Sequence, residues 1–198
     1  MNKRMLAGLI ATGVSSFGAA VMAGPFEDAQ ALYQREEYVE AFKIMRPLAE
    51  AGHAGAQNDL ALMYLTGLGM AKNRDVGVLW LSLAANQGHT EAQTRLGHAH
   101  FYGWDSPRAD HVESSKWYRA AADQGHAEAQ YNLGAHYENG FGVPKDYIEA
   151  MKWSILAVSA YPASAAESRR LAAVNRDRQA EKLPPEQIAD AQKRARDW

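Results

Sequence analysis

Gly52-His53-Ala54-Gly55-Ala56-Gln57 returns as Gly88-His89-Thr90-Glu91-Ala92-Gln93 and again as Gly125-His126-Ala127-Glu128-Ala129-Gln130, at spacings of 36 and 37 residues. A fixed period of this length marks a repeat architecture, in which every unit is one supersecondary module. The register holds well outside the quoted stretch. It aligns Leu60 with Leu96 and Leu133, Ala61 with Gly97 and Gly134, Tyr64 with His100 and Tyr137, Gly67 with Gly103 and Gly140, and Trp80 with Trp117 and Trp153.

Inside one unit, Ala56, Leu60 and Tyr64 fall at i, i+4 and i+8, which lays one apolar stripe along a helix. This helix A ends at Gly67, where glycine can take the left-handed conformation that closes a helix. A second helix, B, follows a short connection. Asn73, Asp110 and Asp146 stand seven residues before the three tryptophans, where a side-chain oxygen can cap free backbone N–H groups. Helix B carries Trp80, Leu83 and Ala84, or Trp153, Leu156 and Ala157, toward helix A. The tryptophans are therefore read as core, filling the space between layers, and His53, His89 and His126 as capping or turn residues. The small residues Ala61, Gly97 and Gly134 let helices approach closely.

Composition agrees with an all-α chain. Of 198 residues, 37 are alanine against 18 valine, isoleucine and threonine together, and alanine loses least on entering a helix while β-branched side chains are stiff there. A formal net charge of −2 provides no global positive field to recruit nucleic acid or anionic lipid. Cysteine is absent, which removes disulfides, thiolate metal sites and cysteine nucleophiles.

The first 23 residues read as a signal peptide. Asn2-Lys3-Arg4 is a basic start, Met5 to Ala20 is apolar and small, and Val21-Met22-Ala23 has the small-residue pattern of a cleavage site. The apolar run is broken by Gly8, Thr12, Gly13, Ser15, Ser16 and Gly18, short of the roughly 20 apolar residues of a membrane span. Cleavage after Ala23 leaves 19 basic and 23 acidic side chains, a net charge of −4. The expected product is a periplasmic or secreted protein with no stable membrane insertion.

The repeated residues resemble the Sel-one-like repeat, a relative of the tetratricopeptide repeat with a longer connection inside each helical pair. The resemblance implies an α-α superhelix, a right-handed solenoid with units at 53–88, 89–125 and 126–161. Residues 24–52 resemble the abbreviated leading pair before such arrays, with Tyr38-Val39-Glu40-Ala41 matching Tyr147-Ile148-Glu149-Ala150. Residues 162–198 are similar to closing helices that cap the stack, with Leu171, Val174, Ile188 and Trp198 as expected contacts. The second unit departs from the pattern: Gly103-Trp104-Asp105-Ser106-Pro107-Arg108 carries one extra residue and lacks the second glycine.

If helix A lines the concave side, as in tetratricopeptide repeats, its outward positions face a groove. These are Asn58, Leu62 and Leu65 in the first unit, Glu91, Thr94, His98, Phe101 and Tyr102 in the second, and Glu128, Tyr131, Glu138 and Asn139 in the third. The mixture of rings, amides and acids suits an extended peptide or protein segment.

Signals of chemistry are weak beside this. His98 and His100 are two apart and point to different helix faces, and His136 has no histidine at i±4, so no joint metal site is expected. Gly-x-Ser-x-Gly, Ser-x-x-Lys and phosphate-binding glycine loops do not occur. No cofactor is expected. The favoured expectation is a non-enzymatic exported adaptor or scaffold for a protein or peptide partner, as the family resemblance also implies. The alternative is a cell-wall-related enzyme or a binder of β-lactam or peptidoglycan fragments. The cysteine-rich relatives associated with that chemistry resemble this chain only in the repeat.

Overall fold

The computed structural model describes residues 24–198 apart from 105 and 107; the expected signal peptide lies outside the described residues. Ten α-helices and no strand occur among them: α1 Pro25–Gln34, α2 Tyr38–Glu50, α3 Ala54–Thr66, α4 Arg74–Asn86, α5 Thr90–Tyr102, α6 His111–Ala122, α7 Ala127–Asn139, α8 Tyr147–Ala160, α9 Ala166–Ala180 and α10 Pro185–Arg196. Each helix packs chiefly on the one before and the one after it through α9, while α10 turns back onto α8. This is the serial stacking of a solenoid.

The helix boundaries are written locally. His53, His89 and His126 each cap their helix, Nδ1 accepting the backbone N–H of Ala56, Ala92 and Ala129 at 3.1, 3.3 and 3.4 Å. Asn73, Asp110 and Asp146 cap α4, α6 and α8 through their side-chain oxygens. Gly67, Gly103 and Gly140 close α3, α5 and α7 at φ of 85°, 62° and 75°, where a Cβ would be strained. Gly97 serves close approach: a Cβ there would lie 2.7 Å from the Tyr118 ring.

A glutamine clamp joins successive pairs. Gln57, Gln93 and Gln130 donate through Nε2 to the carbonyls of Ala49, Ala85 and Ala122, near the end of the preceding pair. Gln57 and Gln93 also accept from Gln87 and Gln124 at 2.6 and 2.7 Å. In the third unit Ala160 stands at the matching position, seven residues after the tryptophan, and Gln130 Oε1 is buried with no partner among the described residues.

Apolar side chains collect between units. One cluster joins α1, α2 and α3 around Met45 and Leu60, one joins α3, α4 and α5 around Leu81 and Leu96, and one joins α6, α7 and α8 around Tyr118, Leu133 and Trp153. The tryptophan expectation needs correction. Trp153 is fully buried, but Trp80 and Trp117 are half-buried and pack on the cores from the rim, with Leu81 and Tyr118 taking the enclosed positions. Trp153 is covered because α10 folds over it, Trp198 meeting its ring at 6.2 Å and Ala195 joining the same cluster. Among the described residues no terminal helix covers Trp80 or Trp117 in this way.

Of the expected C-terminal contacts, Trp198 packs on Trp153 and Ile188 is half-buried, whereas α9 departs from expectation. Leu171, Val174 and Trp198 are 41%, 47% and 51% exposed. The inner stripe of α9 is Ala172, Asn175 and Gln179, small and polar, which brings it close to α8 while its larger apolar residues face outward.

Candidate functional site

The first helices of the pairs, α1, α3, α5 and α7, with α9 after them, form one wall, three of whose clefts run in a row. The first, of about 360 Å³, is lined by Gln30, Tyr33, Gln34, Asp59 and Leu62. The central one, about 440 Å³, is lined by Leu62, Leu65, Glu91, Thr94, Arg95, His98, Trp104 and Glu128. The third, about 290 Å³, lies between α7 and α9 and is lined by Glu128, Tyr131, Asn132, Tyr161, Ser168 and Leu171. Leu62 belongs to the first and second clefts and Glu128 to the second and third, so they form one continuous row.

A polar lattice floors the central cleft. His98 Nε2 lies 3.0 Å from Glu128 Oε1, and His98 Nδ1 lies 2.8 Å from the Tyr118 hydroxyl. Crossing in the opposite sense, His126 Nε2 lies 3.0 Å from Glu91 Oε2. Arg95 then joins Glu91 at 2.9 Å and donates to Asn58 Oδ1 at 2.7 Å. Three successive units are thereby stitched across the wall. The hydrogen bonds from His126 and His98 hold the Glu91 and Glu128 carboxyls below the usual carboxylate range, while burial pushes the Tyr118 phenol up. Tyr118 thus donates to His98 Nδ1, and the imidazole presents its Nε2–H to Glu128.

Leu62, Leu65, Glu91, His98, Glu128 and Tyr131 all line the row of clefts. Asn58 requires correction: it is 4% exposed, held by Arg95, and lines none of the clefts, while Thr94 lines the central cleft at its floor, 1% exposed and 3.0 Å from His126 Nδ1. Phe101 lies off this row, in a smaller cleft of about 80 Å³ between α5 and α7 that it lines with Tyr102, His98 and Asn132. It packs among His111, His136 and Phe141, with ring centroids 5.1, 5.4 and 5.7 Å away, because α5 rotates this position toward the third unit. Tyr102 is 64% exposed at the rim of the same cluster, stacked parallel to Trp104. Glu138 is engaged by α9: Arg178 grips both carboxylate oxygens at 2.9 Å and Gln179 adds a third bond. Asn139 is exposed and donates to the Ala135 carbonyl, lining none of the three clefts.

Sequence reasoning missed Asp59, Arg95 and Asn132, which occupy a single register column one residue beyond Asn58, Thr94 and Tyr131. That column was a findable signal: Asp59 lines the first cleft, Arg95 the second and Asn132 the third. Trp104, from the irregular loop of the second unit, and Tyr161, from the altered end of α8, have no counterpart in the repeat and were not readable from it.

The comparisons agree with this architecture. Three Sel1 repeats match at residues 54–89, 90–126 and 127–160. Over 70% of this chain and 55% of the other, the fold is similar to a Sel1 repeat protein from Oxalobacter formigenes, at 33% identity and a TM-score of 0.65. Over 86% of this chain and 44% of the other, it is similar to a protective antigen of uropathogenic Escherichia coli displaying an SLR fold, at 27% identity and a TM-score of 0.56. The chain thus spans about half the length of these structures. No protein with a curated description matches it. With three repeats covering more than half of its residues, the chain belongs to the Sel1 repeat family.

Proposed function

We propose that this chain is an exported, non-enzymatic scaffold that binds an extended segment of a protein partner along the wall of α3, α5 and α7. Sel1 repeat proteins are in general scaffolds for protein–protein interaction and typically non-catalytic. The observation that carries the finer reading is the continuity of the three clefts from α1 to α9 through the shared residues Leu62 and Glu128. A row of this kind suits an extended chain whose side chains enter successive clefts. The floor residues are held by one another, so the surface is preorganised and little ordering cost falls on binding. Export is supported by the basic start, the apolar run and the small-residue site ending at Ala23.

The groove is tested by panning a random peptide display library on residues 24–198 and measuring the affinity of the enriched peptides by calorimetry. Leu62→Arg, at a half-buried position shared by two clefts, should weaken them about tenfold or more without changing the helical circular dichroism. Equal affinity of the folded variant, or no enriched peptide, refutes the groove. N-terminal sequencing of protein recovered outside the cytoplasm should begin at Gly24; an uncut Met1 refutes the export assignment.

A further inference from the structure

We propose that the cleft between α7 and α9 receives a lysine or arginine side chain of the bound segment. This rests on the groove reading above and names the chemistry at one end of it. The cleft exists because the third unit departs from the repeat. Where α4 and α6 lead into Gln-Gly-His, α6 after Asp123, α8 continues to Ala160 and is followed by Tyr161 and Pro162, then a short 3₁₀ turn at Ala163–Ala165. The wider turn leaves the start of α9 standing away from α7. The two helices are tied near their C-terminal ends, where Arg178 and Gln179 bind Glu138. The other end stays open, with Tyr131 and Asn132 from α7, Ser168 and Leu171 from α9, and Tyr161 between them.

Three features of that opening select the occupant. Tyr131 and Tyr161 offer aromatic walls, which attract a cation and also accept the methylene stem of a long basic side chain. Glu128 stands at the mouth with Oε1 taken by His98 and Oε2 without a hydrogen bond among the described residues. Asn132 Nδ2 is buried without a partner among the described residues, a donor for a carbonyl oxygen of the incoming backbone. Among the described residues no lysine or arginine lines the cleft. On α9, Arg170 and Arg178 are occupied by Glu167 and Glu138.

Other side chains fit less well. An acidic one would meet Glu128. An apolar one would desolvate that carboxylate and give nothing to pair with it, which costs more than the contact with Leu171 returns. A volume of about 290 Å³ suits one long side chain with part of its backbone rather than a folded element.

The test uses the peptides enriched on residues 24–198. They should share a lysine or arginine at one fixed position. Replacing it with norleucine or citrulline should weaken binding to the wild type about tenfold. The same replacement should change binding to Glu128→Gln, which keeps an acceptor for His98, and to Tyr161→Leu by less than about twofold. Peptides that are lost on Leu62→Arg but carry no basic residue at a fixed position overturn the assignment of this cleft and leave the groove standing. A norleucine penalty of equal size in wild type and Glu128→Gln overturns it as well. Enrichment of no peptide at all overturns both readings.

Discussion

His136 provides the sharpest test of the packing between the second and third units. Its side chain is 3% exposed. Nδ1 lies 2.9 Å from the Phe141 carbonyl oxygen and 2.7 Å from Ser115 Oγ, and the rings of Phe101, Tyr118 and Phe141 surround it. Burial is the main cause that drives its pKa down from the ordinary 6.5 to about 4, with His111 and His98 adding to it and the Phe141 carbonyl opposing it. A histidine depressed in this way stabilises the fold fully above pH 6.5. As pH falls below that value the unfolded chain takes up a proton that the folded chain refuses, and stability drops until the folded site itself titrates near 4. At about 1.4 kcal/mol per unit, the loss across this window is about 3 kcal/mol, a large share of a small domain's stability. Urea unfolding of residues 24–198 at intervals from pH 7 to 4 should show that decline. His136→Asn keeps a hydrogen-bonding group near Nδ1 and cannot titrate. Its starting stability is lower because the ring is lost, and its curve over this window should be flatter by about 3 kcal/mol. Subtracting the curves cancels titrating groups that do not interact with His136, such as His89, whose pKa burial also lowers. Parallel curves for wild type and variant would refute the buried neutral imidazole.

Glu91 and Glu128, held below their ordinary 4.5 by His126 and His98, stabilise the stack above that pH and lose the contribution as pH falls through their folded values. At 40% and 49% exposure each is worth well under about 1 kcal/mol, and an NMR titration that places either midpoint at or above 4.5 contradicts the pairing. Gly97→Ala would put a methyl 2.7 Å from two Tyr118 ring carbons, and Tyr118 is pinned by burial and by His98. Overpacking of about 1–3 kcal/mol then outweighs the roughly 1 kcal/mol helix gain, so the melting temperature should fall; a rise would show that the ring can yield. Trp153→Ala should cost about 3–5 kcal/mol by urea denaturation, with Trp80→Ala and Trp117→Ala well below it because they start half-exposed. Equal losses at all three positions would mean that α10 does not cover Trp153.

Much of this molecule can be read along the chain. The capping role of His53, His89 and His126 depends only on a ring nitrogen meeting an N–H three residues on, and the closure at Gly67, Gly103 and Gly140 only on a left-handed backbone. Half of the site was legible in the same way, since Leu62, Leu65, Glu91, His98, Glu128 and Tyr131 lie on the helical faces that the period marks out. Asn58 was misplaced because one step of 100° separates a floor residue from a lining one, and periodicity does not resolve which neighbour supplies a partner. Arg95 buries Asn58 from the next unit, and His126 does the same for Thr94.

The amino-acid order by itself determined the helices, their ends, their pairing and the serial stack, because all of these follow from contacts within a unit or between neighbouring units. Tertiary structure alone decided that α10 returns to enclose Trp153, that α9 ties Glu138 yet stands open beside Tyr131 and Tyr161, and that clefts of different units join into one row. Those outcomes depend on how far side chains reach between segments tens of residues apart, a distance that no repeat period encodes.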